Sequence, residues 1–372
     1  MAMLSQFQYE SSEHGSEHHP LRPKNAEVLA FNRERRLAEG AFWSSWQRLL
    51  LPQHAIVEEE RLEWMMRFRQ CMEALNVAQA SAKEACQQTI TMTKKQRDDL
   101  LHQARYLCDW YGVITLLEWW QQHDDWECRD YCYYIHACLL TGELVKGQLA
   151  LDKGMMRFSG DASLLKLSQQ LLQFYQQLPF PLSACEQDSF RIIPMMSEHR
   201  SDFCWQYADP EIARRCNLPS FVNDDDWLNW YWQSVSDPDR RLFAVIDKQY
   251  GFVGSLSLEI YRGVGYFYYW FGSDFQGQGL GPKTVVFLLN LAQEYLEMHC
   301  CYAKVFDYNV PSQKALSKMG FETLPFNVQP PFENEWFYHL GPEKSEQRLY
   351  EELAQLLEDM NSVVELEKKI ML

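Results

Sequence analysis

The sequence predicts a multidomain chain: an all-α helical domain, an α/β domain built on a mixed sheet, and a closing amphipathic helix. Three observations carry this. From Asn25 to Gln177, apolar residues recur at three- and four-residue steps, the period of helices with one buried face. The stretch Leu178-Pro-Phe-Pro-Leu-Ser-Ala184 then places two prolines in an extended run, which ends the last helix and makes 178–189 a linker. Beyond it, short aromatic and β-branched runs alternate with helical patterns. The longest, Tyr266-Phe-Tyr-Tyr-Trp-Phe271, suits a strand buried on both faces and leads into a glycine-studded turn and an apolar helix. At 372 residues, 47% of them apolar, the chain can bury more than one core.

Residues 1–24 are polar, with Glu13, His14, His18 and His19 among serines; they read as a disordered tail, with metal binding by the histidines as the alternative. Residues 25–177 form the helical domain. Ala26–Leu50 carries Val28, Leu29, Phe31 and Leu37, and Val57–Ala85 carries Leu62, Met65, Met66, Phe68, Met72 and Leu75. From Thr93 the pattern becomes helical hairpins. Leu100, Ala104, Leu107 and Trp110 precede Gly112, with Ile114, Leu117 and Trp120 after it. Tyr131, Tyr134, Ala137 and Leu140 precede Gly142, with Leu144, Leu149 and Met155 after it. A turn glycine recurring after about thirty residues resembles a degenerate tetratricopeptide-type array, with Asp161–Tyr175 as a third copy; an irregular bundle is the alternative.

In the α/β domain, 190–341, Phe190–Pro194 reads as a first strand. Ser197–Leu218 and Asp224–Ser236 read as helices over a site, the second opened by an Asp run. Leu242–Asp247 and Phe252–Tyr261 are strands, with a hairpin at Arg262-Gly263. The aromatic strand, a helix Lys283–Met298, a strand from Tyr302 to Asn309 and a helix Gln313–Met319 come next. Glu335–Leu340 is the last strand, after Pro330-Pro331. Residues 342–372 read as one amphipathic helix whose Leu349, Leu353, Leu356, Met360 and Val363 form a seam that Glu367 interrupts. That seam packs back on the helical domain or serves a homodimer, as the helical domain itself could.

A formal charge of −16 argues against nucleic acid and anionic membranes as partners, because Lys and Arg contacts supply that affinity. No run of about twenty uncharged apolar residues is present to span a bilayer. The N-terminus lacks an apolar signal core, and eleven scattered cysteines read as reduced thiols, so a cytoplasmic location is expected.

The chemistry centres on the glycine turn. Gly277, Gly279 and Gly281 permit backbone conformations that a β-carbon forbids, and Pro282 suits a first helical turn. The free amides and positive dipole end of the following helix make an anion site fit for a phosphate or pyrophosphate. Gly281-Pro282-Lys283-Thr284 breaks the order of a Walker A loop, and the dinucleotide fingerprint is met only loosely. Gln276-x-x-Gly279-x-Gly281 instead resembles motif A of the GNAT (general N-acetyltransferase) family. Asn309-x-x-Ser312, followed by a short helix and Gly320-Phe321, resembles motif B. The resemblance covers Phe190–Leu340 and leans towards the branch that acetylates N-terminal amines of ribosomal proteins, and towards aminoglycoside-type relatives.

The resemblance implies a GNAT mixed-sheet fold and acetyl-CoA as acyl donor, without a metal. Amides near Phe271 and Gly272 would bind pantetheine and polarise the thioester. Those of Gln276, Gly277, Gln278, Gly279, Leu280 and Gly281 would hold the pyrophosphate, and Asn309 the pantetheine arm. Lys283 and Lys314 could reach the phosphates, although surface lysines rarely act so specifically.

The leaving thiolate needs a proton. Many members place a Tyr seven residues after the Asn, where this chain has Leu316. Ser312 occupies the position that serves in the ribosomal-protein branch, or else caps helix Gln313–Met319; Tyr308 is a fallback acid. For the base, Glu259, Glu333 and Glu335 are candidates, with a water relay as the alternative. Trp227, Trp230 and Tyr268 could wall an acceptor cleft or a pocket for a longer acyl chain, or simply fill the core. The expected acceptor is a primary amine of a peptide or protein chosen with help from the helical domain. The alternatives are a small amine, or CoA sensing without turnover.

Overall fold

The computed structural model describes residues 94–362, except 123, 208, 217, 220, 222 and 329–334, and residues 364–368. The expected tail, the helices Ala26–Leu50 and Val57–Ala85, and Glu333 lie outside the described residues.

Five helices come first: α1 Lys94–Tyr106, α2 Trp110–Gln121, α3 Cys128–Thr141, α4 Leu144–Arg157 and α5 Ala162–Gln177. Their boundaries follow from caps. The Asp109 carboxylate accepts from Gly112 N at the start of α2, and Asp161 accepts from Ser163 N and Leu164 N at the start of α5. Gly142, at φ +73°, ends α3 in the left-handed region; a Cβ there would lie 2.9 Å from Ile193 Cγ2 on the sheet. Gly112, expected at a turn, instead sits buried in the first turn of α2, after a turn through Cys108. The regular spacing of turn glycines is therefore lost. Leu149, expected in the buried stripe, is exposed, because α4 packs through Leu144, Gly147, Leu151 and Gly154, where small residues let α3 approach.

The sheet follows: β1 Glu186–Gln187, β2 Phe190–Pro194, β3 Arg240–Asp247, β4 Gly251–Tyr261, β5 Val264–Phe271, β6 Cys300–Phe306, β7 Glu322–Thr323 and β9 Glu335–Leu340, in the order β1-β2-β3-β4-β5-β6-β9-β7. Every pairing is antiparallel except β5 with β6. The sheet thus begins inside the stretch read as linker. Between β2 and β3, Pro210 divides the single helix expected over Ser197–Leu218 into α6 Arg200–Tyr207 and α7 Pro210–Cys216, with Asp209 accepting from Glu211 N. α8 Asp224–Ser236 opens on an Asn223–Asp226 capping box.

Each face of the sheet has its own cover. Phe243, Val245, Leu256, Leu258, Phe267 and Phe271 face α9 Leu280–Tyr295 through Val285, Leu288, Leu289 and Ala292. The opposite face, carrying Leu242, Ala244 and Trp270, shares one core with α1–α5, α6 and α8. Arg191 of β2 reinforces that junction, donating to Glu143 Oε1 at 2.7 Å and to the Thr141 carbonyl at 3.1 Å. Helical and sheet modules therefore pack as continuous structure despite the prolines between them.

Beyond β6, α10 Val310–Lys318 starts three residues earlier than expected. α11 Glu346–Asp359 packs on Tyr302 and Phe337. The helix expected over 342–372 stops there, because Asn361 turns into the left-handed region at φ +50° and the chain returns as β10 Leu366–Lys368, paired with β8 Phe326–Val328. Among the described residues, no helix is long and apolar enough to cross a membrane.

Candidate active site

The site forms where two neighbouring strands part. β5 and β6 pair in parallel only from Val264–Tyr266 to Cys300–Tyr302, yet β5 runs on to Phe271 and β6 to Phe306. The diverging ends line a cleft of about 470 Å3. On β5, Gly272 N donates to Val253 O at 3.0 Å, so antiparallel alternation turns the amides of Phe267, Tyr269 and Phe271 away from β4 and towards the gap. The Phe271 amide is thus free of β4. The Gly272 amide is already committed to the sheet, and this residue is a glycine because a Cβ would collide with the Gln206 side chain.

The glycine turn forms one end of the cleft. Gly277 and Gly279 adopt φ +78° and +77°, with nothing near a hypothetical Cβ, so conformation rather than crowding demands glycine there. Gly279 is the N-cap of α9, whose first turn presents amides with no intrahelical partner. Gln276, Gly277, Gly279, Gly281 and Pro282 line the cleft. Gln276 Nε2 donates to Phe271 O at 2.8 Å and so ties the turn to the strand end. Gln278 and Leu280 do not line it: the Gln278 amide donates to Asp274 O, and Leu280 packs against the core. Lys314 and Lys318 reach the lining, whereas Lys283 is exposed outside it.

Across from the turn, Asn309 is buried at the start of α10 and lines the cleft, its Oδ1 accepting from Ser312 N at 3.4 Å. Asn309 is therefore the helix cap, and Ser312 is released from the capping role that competed with catalysis. Ser312 stands near the Tyr269 hydroxyl, whose phenol burial pushes up to about 12, with Cys216 adding to the rise and Ser312 opposing it. All three side chains line the cleft. Tyr308 does not: its hydroxyl donates to the Arg214 carbonyl at 3.0 Å, and the Arg214 guanidinium lies over its ring at 4.6 Å. It fastens α7, whose Ile212, Arg215 and Cys216 roof the cleft.

The other face of the gap is lined by Tyr266, Tyr268, Lys304 and Glu335. Lys304 Nζ lies 2.7 Å from Glu335 Oε1, while the buried Glu335 Oε2 has no hydrogen-bond partner among the described residues. Glu259 stands behind this wall, 1% exposed, with Arg240 Nε 3.8 Å from its Oε1. Burial pushes its carboxyl up to about 7 against the pull of Arg240. Arg240 in turn donates to Ser257 Oγ and to the Tyr268 hydroxyl. Glu259 thus supports the wall rather than lining it. Trp227 and Trp230 are core: they pack with Phe203, Phe221 and Tyr231 in an aromatic cluster behind Trp270. Tyr269, Lys304 and Arg215 were missed because only the register of β5 and β6, and the fold of α7 over them, brings them to the cleft.

Residues 190–322, a little over a third of the chain, match the family model described as an acetyltransferase (GNAT) domain, and the α/β domain has that mixed-sheet fold. Among solved structures, the chain is similar to a ribosomal-protein-S5-alanine acetyltransferase from Vibrio fischeri, at 17% identity over 43% of this chain and 96% of that one, TM-score 0.37. It is likewise similar to a spermidine N-acetyltransferase from Vibrio cholerae, in complex with CoA and spermine, at 15% identity over 41% and 96%, TM-score 0.37. An acetyltransferase from Salmonella typhimurium, which modifies the N-terminal serine of the ribosomal protein L7/L12, shares 12% identity over 42% and 97%, TM-score 0.39. No curated protein sequence matches the chain.

Proposed function

We propose that the protein is an acetyl-CoA-dependent N-acetyltransferase that moves an acetyl group from the thioester to a primary amine. The observation that carries this reading is the parting of β5 and β6 after Tyr266 and Tyr302, which opens a cleft between a glycine turn and a buried Asn. The amides of the turn and of the α9 N-terminus suit the diphosphate. The amides of Tyr269 and Phe271, with Asn309, suit the pantetheine arm and thioester carbonyl. Ser312, which lines the cleft with Tyr269, would hand a proton to the departing thiolate. Glu335, with one oxygen held by Lys304 and the other without a hydrogen-bond partner among the described residues, would take a proton from the amine.

A peptide or protein acceptor is the reading we favour. The front helices share their core with the sheet face that carries Tyr268 and Trp270, two residues of the cleft lining. A small amine is the second reading, favoured by the roof that α7 makes over the cleft through Ile212, Arg215 and Cys216. Thiol release from acetyl-CoA, followed against pooled N-terminal peptides and a panel of polyamines and aminoglycosides, tests both. Peptide-dependent release supports the first and amine-dependent release the second. Acetyl-CoA binding with no release for any acceptor contradicts the catalytic reading.

A further inference from the structure

We infer that Cys300, His339 and Glu352 form a zinc site at the root of the parted strands, where they lock α11 onto β6 and β9. The three residues come from these three separate elements, and their ligand atoms all lie within 4.8 Å of one another. Cys300 and His339 are 1% and 5% exposed, and His339 Nε2 has no hydrogen-bond partner among the described residues. A buried imidazole nitrogen left unpaired is costly, so it marks a place where a further partner fits. Room for it exists because residue 341 is glycine: a Cβ there would lie 3.1 Å from His339 Nε2 and run into Cys300.

The donor set of one sulfur, one nitrogen and one oxygen is that of a borderline metal with tetrahedral preference, and three protein ligands leave one position for water. Glu352 is already oriented for it. The Tyr302 hydroxyl donates to Glu352 Oε1 at 2.7 Å, the supporting bond that ligating carboxylates usually have. A cation already sits there: Lys344 Nζ lies 2.7 Å from both Glu352 oxygens and 3.5 Å from Cys300 Sγ. This ion pair satisfies the carboxylate but leaves the imidazole unused. Binding is then an exchange. Zinc bonds Sγ, an imidazole nitrogen and a carboxylate oxygen, the Cys300 thiol gives its proton to solvent, and the Lys344 ammonium swings out.

A second cluster, Cys128, Cys132 and Asp161, is only half-buried, and its Asp already accepts the Ser163 and Leu164 amides, so it lacks an idle ligand. The test uses the full chain in a Cys128→Ser/Cys132→Ser background, stripped with chelator and loaded with Zn2+ or Co2+. The expected result is one zinc per chain above the content of His339→Ala, and a thiolate-to-cobalt absorption that vanishes in Cys300→Ser. Lys344→Met, which removes the competing ammonium, should tighten zinc binding. Circular dichroism establishes that each variant folds, and Glu352→Gln replaces any that does not. Equal zinc content in His339→Ala and its parent, no thiolate absorption with cobalt, or unchanged zinc affinity in Lys344→Met would each overturn the site.

Discussion

Tyr269 on β5 and Ser312 on α10 both line the cleft near one another, one from each of the structures that border the parted strands. The position seven residues after Asn309, where the resemblance leads one to expect a tyrosine, is Leu316, buried in the core. Ser312→Ala and Tyr269→Phe should each lower kcat by about 100-fold, the lower range for a lost proton donor, with acetyl-CoA affinity nearly unchanged. Steady-state kinetics beside equilibrium binding checks this; equal losses in affinity and turnover would make the pair a binding element. Because burial holds the Tyr269 phenol near 12, the variants should not shift any kinetic pKa between pH 6 and about 9.

Glu259 should make the fold pH-sensitive. Its carboxyl titrates near 7 when folded, through burial that Arg240 only partly offsets, against 4.5 for the ordinary group. Between those values the folded chain binds more protons than the unfolded one, so stability falls as pH rises through the window. Glu259→Gln mimics the protonated form and should flatten the thermal midpoint between about pH 5 and pH 7.5. An unchanged slope in the variant would remove Glu259 as its source.

Gly279 should matter through its backbone. Gly279→Ala forces a β-carbon into the left-handed region, a cost of about 1–2 kcal/mol, and distorts the mouth of α9. CoA affinity should drop about tenfold, while Gly279→Asn, which tolerates that region, should lose less. Calorimetric titration with CoA distinguishes the two; equal affinities would show that the conformation of this turn is not what holds the ligand.

Trp227 should behave as packing. Trp227→Ala should cost about 3–5 kcal/mol in urea unfolding, as buried aromatic truncations do, whereas Trp227→Phe should leave the acceptor KM unchanged. A KM effect in a variant that stays fully folded would return Trp227 to the acceptor wall.

The parts of the site legible in the sequence were those in which the residue type itself carries the constraint. Gly277 and Gly279 adopt conformations that few other residues accept, and Asn309 both caps a helix and turns towards the cleft. What could not be read depended on register and distant packing. An aromatic residue looks alike in a core and in a cleft wall, so Trp227 and Tyr268 could be separated only once β5 had a partner on each side. Tyr308 was aligned with the site by sequence distance, but the turn after Phe306 carries it onto Arg214. In the helical part, Gly142 was legible as a helix stop, whereas Gly112 gave the same signal inside a helix that Asp109 starts. Pro210 and Asn361 were written in the sequence as breaks; the apolar periodicity running through them concealed both.

The central claim is that the cleft between the diverging ends of β5 and β6 holds a CoA thioester. Isothermal titration of the full chain with acetyl-CoA and with free CoA tests it most directly. The account predicts one site per chain for each ligand, with affinity lost when Gly281→Trp fills the turn beside Tyr269. Absence of binding by both ligands, or binding that survives in that folded variant, would contradict it.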